Sequence, residues 1–265
     1  MLADRGCRVM LFITNIPPTI QDCWGRGYSD APTGLPYDSR LYTTQILLTI
    51  TSSPPSWTTS PGFSLIGYSL GGGISAAFAS VFPDMIRSLI LLTPTGLIRA
   101  ERTRSQRRLL AVISMLPEWI VERFVKRKLQ TPMFLGEKGV VLGEEILGEE
   151  IAPVSRKYPG ITVIEAQRWQ IKAHEGFFTS FMSTGRHAPY ANEHETWKRL
   201  GLRKDTILIV TATKDPIVNP DELKEDATEV VGEERLEWAL IDGAHDIPVT
   251  HPKKIVAAVL RFWKM

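Results

Sequence analysis

Cysteine is scarce: the 265-residue chain holds only Cys7 and Cys23. They form no C-x-x-C pair, and none of the five histidines is spaced with them as zinc ligands are, which argues against a structural metal site. A single disulfide is formally possible, but a reduced, cytoplasmic chain is the better reading. An excess of one charge is also lacking. The formal net charge is +2, too small for the dominant basic face of a nucleic-acid binder. No run approaches the ~20 apolar residues of a membrane span, so no transmembrane segment is expected. The apolar run 9–13 follows Arg5 and Arg8, but it is too short for a signal peptide and no small-residue cleavage site follows it. It reads as a buried strand.

What is present is an ordinary globular composition, 43% hydrophobic and 23% charged, in a chain long enough for one or two domains. A strand is expected over 8–14, then a loop rich in Pro, Gly, Asp and Ser over 15–40, and a helix over 40–48. Residues 63–68 form a short apolar strand, Ser69 and a glycine run follow, 74–82 has helical composition, and 88–93 is a second buried strand stopped by Pro94. Strand, helix and strand in this spacing make a βαβ unit with a parallel sheet.

Between 97 and 190 no strand is expected beyond a short run at 161–164. Apolar residues recur at helical spacing over 102–115 and 117–130, with Pro117 in a first-turn position, and more helix is expected over 143–152 and 163–173. The α/β pattern then resumes with a strand at 206–212, a helix at 221–230, a strand at 236–241 and a final helix at 252–263. The expected architecture is α/β: a mostly parallel sheet with helices on both faces. Residues 1–96 and 191–265 build the core, and 97–190 are a helical insertion.

Gly67-Tyr68-Ser69-Leu70-Gly71 fits G-x-S-x-G. Between a buried strand and a helix, this pentapeptide makes a sharp, strained turn that lifts the serine above the sheet. Flanking positions must be small because neighbouring chains pass close, and Gly72 and Gly73 extend the small surface. The helix that follows aims its N-terminus at the site, so the Leu70 N–H is a candidate oxyanion donor. Without that context the segment would be a glycine-rich connection.

A serine hydroxyl needs a base, and the base needs an orienting acid. Asp215 follows the strand 206–212, at the carboxyl end that faces the serine, with Pro216 favouring a turn. Asp205 precedes that strand and falls at the opposite edge. The plain alternative for Asp215 is a solvated turn residue beside Lys214. His245 follows the last strand in Asp242-Gly243-Ala244-His245-Asp246, again at a carboxyl end. Its main rival is His251, at the start of the final helix. His174, His187 and His194 lie in or beside the insertion, where surface or substrate-contact roles are the simpler reading.

These segments resemble the α/β-hydrolase superfamily, in particular its small esterase and hydrolase members with a helical cap. The likeness rests on 22–30 (Asp-Cys-Trp-Gly-Arg-Gly-Tyr-Ser-Asp), similar to the family's D-x-x-G-x-G-x-S loop, on 67–73, on Asp215 and on Gly243-Ala244-His245, and it covers most of 22–265. It implies that 97–190 form the cap that shapes the substrate pocket, and it implies no cofactor. A serine at position 69 disfavours epoxide opening and dehalogenation, for which the family uses aspartate. It favours acyl transfer to water, from a carboxylic ester, thioester or lactone of a small apolar metabolite. A C–C bond hydrolase and a cofactor-free peroxidase share the same triad.

The sequence departs from the family in two places. Only 68 residues precede Ser69, with no His-Gly or Gly-Gly among them, so the first strands and the second oxyanion donor are expected to be absent. Residues 13–21, with Pro17-Pro18, separate the first strand from Asp22 like an insertion. An incomplete oxyanion hole leaves a third reading open, a truncated pseudoenzyme or binding protein. Basic residues from Arg99 to Lys128 crowd the start of the cap, which fits a membrane surface or an anionic substrate, or more simply a solvated face.

Overall fold

The computed structural model describes residues 12–13, 21–53, 57, 62–99, 101, 123, 134–136, 139–141 and 169–265. The helices expected at 102–115, 117–130 and 143–152 and the run 161–164 lie almost wholly outside the described residues. Of the expected helix 163–173, residues 169–173 are described and helical.

The elements are β1 (Phe12–Ile13), β2 (Gln21–Asp22), α1 (Ser39–Ser52), β3 (Phe63–Tyr68), α2 (Leu70–Val81), β4 (Ile86–Leu92), β5 (Phe134–Gly136), β6 (Gly139–Val141), α3 (Phe177–His187), α4 (His194–Leu200), β7 (Ile207–Ala212), α5 (Pro220–Val231), β8 (Leu236–Ile241), α6 (Ile247–Thr250) and α7 (Pro252–Phe262). The described residues fall into two compact units. Ser39–Thr103 and Ala188–Met265 belong to the first, Arg8–Asp38 and Arg104–His187 to the second.

The first unit holds a parallel sheet in the order β3-β4-β7-β8. β4 and β7 are the inner pair. β7 is buried at every residue and β4 at all but Arg87, which is why both read as continuous apolar runs. β3 and β8 are the outer strands, and each has two exposed residues. Side chains on successive strand residues point to opposite faces. Ile90, Leu92, Leu208, Val210 and Ala212 therefore share one face, where they cluster with Ile255 and Val259 of α7. α2 packs against β3, β4 and α4, burying Ala76, Phe78 and Ala79 completely. The last helix is tied to the sheet by a polar relay: Trp263 Nε1 donates to Ser88 Oγ at 3.0 Å, and Ser88 Oγ donates to Ser64 Oγ at 2.8 Å.

α5, which follows the Asp215 loop, is well specified locally. Asn219 caps it by accepting from the amides of Asp221 and Glu222, Pro220 opens it, and two acids occupy its first turn. Arg99 forms a fork with Asp226 at 2.7 Å and Glu225 at 2.6 Å on α5, so this member of the basic stretch is neutralised within its own unit.

The second unit is organised around the loop 22–30. Arg26, only 5% exposed, inserts its guanidinium beside the rings of Phe177 and Phe181 and donates to Ser180 Oγ at 2.6 Å. Gly25 and Gly27 adopt positive φ, and a Cβ at either would collide with Ser180 or with the Asp22 carboxylate. Asp22 accepts from the Tyr28 amide at 2.9 Å, and burial raises its carboxyl above the ordinary range.

Three sequence expectations are corrected here. The loop assigned to 15–40 includes β2, which pairs in parallel with β1. The insertion contains the antiparallel pair β5–β6, where no strand was expected. α3 and α4 were not expected, because Ser180, Thr184 and Thr196 occupy buried positions where an apolar residue would have betrayed the helical period.

Candidate active site

β3 ends at Tyr68 and α2 begins at Leu70, so the chain reverses on one residue, Ser69. That residue has φ 53 and ψ −121, a conformation that L side chains rarely adopt. Such backbone costs about 1–3 kcal/mol and persists only where the surroundings fix it. Here the Ser69 amide donates to Leu92 O at 2.9 Å, and the Ser69 carbonyl accepts from Gly72, Gly73 and Thr95. Thr93, a β-branched residue at the end of the adjacent strand, also has positive φ and is fully buried.

Serine at a helix N-cap ordinarily turns its hydroxyl onto the first amides of the helix. Ser69 makes no such capping bond. Its Oγ lies instead 2.8 Å from Nε2 of His245. Nδ1 of His245 lies 2.7 Å from Oδ2 of Asp215, whose side chain is fully buried while that of His245 is 14% exposed. The other oxygen of Asp215 accepts from the amides of Ile217 at 2.8 Å and Val218 at 2.9 Å, which fixes the carboxylate plane. A carboxylate only accepts, so the neutral tautomer that satisfies this contact has its proton on Nδ1 and its Nε2 lone pair toward the serine hydroxyl.

The two loops that carry acid and histidine are joined directly. Thr213 N donates to Ile241 O at 3.0 Å and Lys214 N to Gly243 O at 2.9 Å. Thr213 Oγ1 donates to Asp242 at 2.8 Å, with Lys214 Nζ 3.2 Å from the same carboxylate. These two partners, Thr213 first, hold the Asp242 carboxyl below its ordinary range. Tyr68 reaches the histidine from the other side: its hydroxyl donates to the His245 carbonyl at 3.0 Å. Sequence reasoning singled out neither Tyr68 nor Thr213. Both occupy simple positions, one before the serine and one just past the end of β7.

The structure brings Ser69, Asp215 and His245 together and sets the rivals apart. Asp205 lies before β7 and pairs with Arg203, whose side chain is 3% exposed. His251 occupies the N-cap position of α7 without a side-chain capping bond, and its Nδ1 lies 2.9 Å from Thr250 Oγ1. His174 contacts Ser29 O at 2.8 Å in the second unit, while His187 and His194 lie at the end of α3 and the start of α4. Leu70 supplies the first amide of α2, one of those left without an intrahelical acceptor. Of the flanking glycines, Gly67 is sterically required, since a Cβ there would collide with Gly71 O and Ser75 Oγ. At Gly71 no described atom lies within 4 Å of the Cβ position. A Cβ on Gly72 would lie 2.7 Å from Pro94, and one on Gly73 2.6 Å from the Pro189 carbonyl, so the small surface is needed there.

The second unit has a cavity of about 620 Å³ lined by Tyr28, Trp169, His174 and Glu175 among others. Among the described residues there is no cluster of side chains suited to a metal ion, and no helix is long and apolar enough to cross a membrane.

No curated protein matches the chain. Many solved structures do. E-2-(acetamidomethylene)succinate hydrolase is 20% identical, with 92% of this chain and 80% of that chain covered and a TM-score of 0.55. MGS-M2, an alpha/beta hydrolase enzyme from a Medee basin deep-sea metagenome library, is 14% identical over 92% of this chain and 78% of that chain, with a TM-score of 0.60. The thioesterase domain from the curacin biosynthetic pathway is 16% identical over 90% and 78%, with a TM-score of 0.52. At these identities the likeness is one of fold. The sequence model of the alpha/beta hydrolase fold matches residues 60–252, well over half of the chain, a span that runs from before β3 to the start of α7. The chain belongs to the alpha/beta hydrolase family.

Proposed function

We propose that the protein is a serine hydrolase that cleaves a carboxylic ester, thioester or lactone of a small apolar metabolite through an acyl-enzyme on Ser69. The observation that carries the reading is the Ser69 hydroxyl, which forgoes capping its own helix and lies 2.8 Å from an imidazole oriented by a buried aspartate.

Ser69 Oγ attacks the carbonyl carbon as its proton passes to His245 Nε2. Asp215 keeps the ring in the accepting tautomer and stabilises the imidazolium. The carbonyl oxygen, now an anion, takes the Leu70 N–H at the positive end of α2. Collapse breaks the bond to the alkoxide or thiolate leaving group, which receives the proton from His245. Water then attacks the acyl group with the same histidine as base, and Ser69 regains its proton. No cofactor takes part.

In this reading residues 97–190 are the cap that sets substrate shape. The free, buried Cys23, its thiol pushed up to about 12 by burial, suits a reduced cytoplasmic setting. The test is stopped-flow hydrolysis of p-nitrophenyl esters of increasing acyl length, run beside a thioester and a lactone. A burst of p-nitrophenol stoichiometric with protein, absent in Ser69→Ala, is expected. Hydrolysis without a burst, equal in both proteins, would remove the acyl-enzyme from the account.

A further inference from the structure

Among the described residues, His245 itself bonds to three partners. Asp215 and Ser69 engage its ring, and Tyr68 engages its carbonyl. The Tyr68 ring also lies against the imidazole, with centroids 5.3 Å apart and planes tilted by 36°. This contact crosses the sheet. Tyr68 is the last residue of β3, His245 lies in the turn after β8, and these are the two outer strands of β3-β4-β7-β8. Strands lie about 4.8 Å apart, so the two strand axes are separated by roughly 14 Å and no ladder bond joins them. On the β7 side the histidine turn is fastened by the Lys214–Gly243 backbone bond. On the β3 side the Tyr68 hydroxyl fastens it.

The fastening matters because the turn is poorly buried. Asp242 and Ala244 are exposed, and such segments open locally at little cost. Nε2 must nevertheless stay in hydrogen-bond reach of Ser69 while a proton moves both ways. We propose that Tyr68 is a positioning residue for His245. By tethering the histidine carbonyl from the residue next to the nucleophile, it lets one strand end hold nucleophile and base in register. The role rests on the serine hydrolase reading above. Burial, and then the negative charges of Asp246 and Asp215, raise the Tyr68 hydroxyl above its ordinary range, so it remains a donor wherever the triad works.

The test compares wild type with Tyr68→Phe, which keeps the ring and loses the tether, and Tyr68→Leu, which loses both. With the best p-nitrophenyl ester, Tyr68→Phe should lower kcat by about tenfold with KM nearly unchanged, and Tyr68→Leu should lower it further. A second readout needs no turnover: the downfield proton resonance of His245 Nδ1–H, shared with Asp215, should be sharp in wild type and broadened by solvent exchange in Tyr68→Phe. Unchanged kcat together with an unchanged resonance would overturn the proposal. So would a Tyr68→Phe protein that fails to fold by circular dichroism, since the hydroxyl would then be structural. If wild type is inactive on every substrate, the hydrolase reading fails while the resonance still tests the tether.

Discussion

Nε2 of His245 lies 2.8 Å from Oγ of Ser69 although 176 positions separate the two residues. The parallel sheet accounts for the meeting, because it places the carboxyl ends of β3, β7 and β8 on one edge, where the three loops converge. In the proposed reading His245 is the base, so removing it should leave the fold and stop the chemistry. His245→Ala is expected to lower kcat/KM by about 10³–10⁴ with an unchanged circular dichroism spectrum. Steady-state kinetics on the best ester checks this, and a loss of under tenfold would remove His245 from the relay.

Asp215 has two separable duties. Oδ2 lies 2.7 Å from Nδ1 of His245, which in the proposed reading it orients, and Oδ1 accepts two amides. Asp215→Asn keeps an acceptor for the amides but loses the charge opposite Nδ1, so activity should fall by about 10²–10⁴ with stability little changed. Asp215→Ala should lose activity and also stability, by about 1–3 kcal/mol, because the Ile217 and Val218 amides lose their acceptor. Urea unfolding of the two variants separates the duties. Equal stability would show that the amide contacts contribute nothing.

The strain at Ser69 gives a prediction about stability alone. Ser69→Ala and Ser69→Gly both lack the hydroxyl, but only glycine accepts φ 53 with ψ −121. Relief of about 1–3 kcal/mol of strain exceeds the roughly 0.4–1 kcal/mol that glycine costs through the unfolded chain. Ser69→Gly should therefore be the more stable of the two by about 1 kcal/mol, read from urea midpoints. The reverse order would mean that the turn is relaxed.

The two glycines of G-x-S-x-G should not behave alike. Gly67→Ala forces a Cβ into Gly71 O and Ser75 Oγ, both held by backbone or helix packing, and should destabilise the fold by about 1–3 kcal/mol or open the turn. Gly71→Ala meets nothing described within 4 Å and lies in the first turn of α2, where alanine is the better helix former by up to about 1 kcal/mol. Thermal melts that rank Gly71→Ala at or above wild type, and Gly67→Ala below it, are the expected result.

The sheet was legible in the sequence because its strands are short, apolar and bounded by Gly, Pro or Asp. β3 and β8 have the boundaries that their residues suggest, and β4 and β7 differ by one or two positions. The pentapeptide singled out Ser69, and places beyond strand ends singled out Asp215 and His245, three side chains that the structure brings within hydrogen-bond distance of one another. The parts that stayed hidden depend on partners distant in sequence. Buried Arg26 is accommodated by Ser180 and two phenylalanines of α3, and nothing in either segment announces the other. Likewise, the Tyr68–His245 tether and the Thr213–Asp242 bond exist only once the strands are aligned. The need for a small residue beside Ser69 is visible at Gly67, where a Cβ would collide with Gly71 O and Ser75 Oγ.

The central claim is that Ser69 is an activated nucleophile, and its most direct measurement is reaction of the purified full-length protein with a fluorophosphonate, followed by mass spectrometry of the labelled peptide. The account predicts one phosphonyl group per chain, on Ser69, lost in Ser69→Ala and strongly slowed in His245→Ala. A folded protein that takes no label, or labels equally in Ser69→Ala, would contradict it.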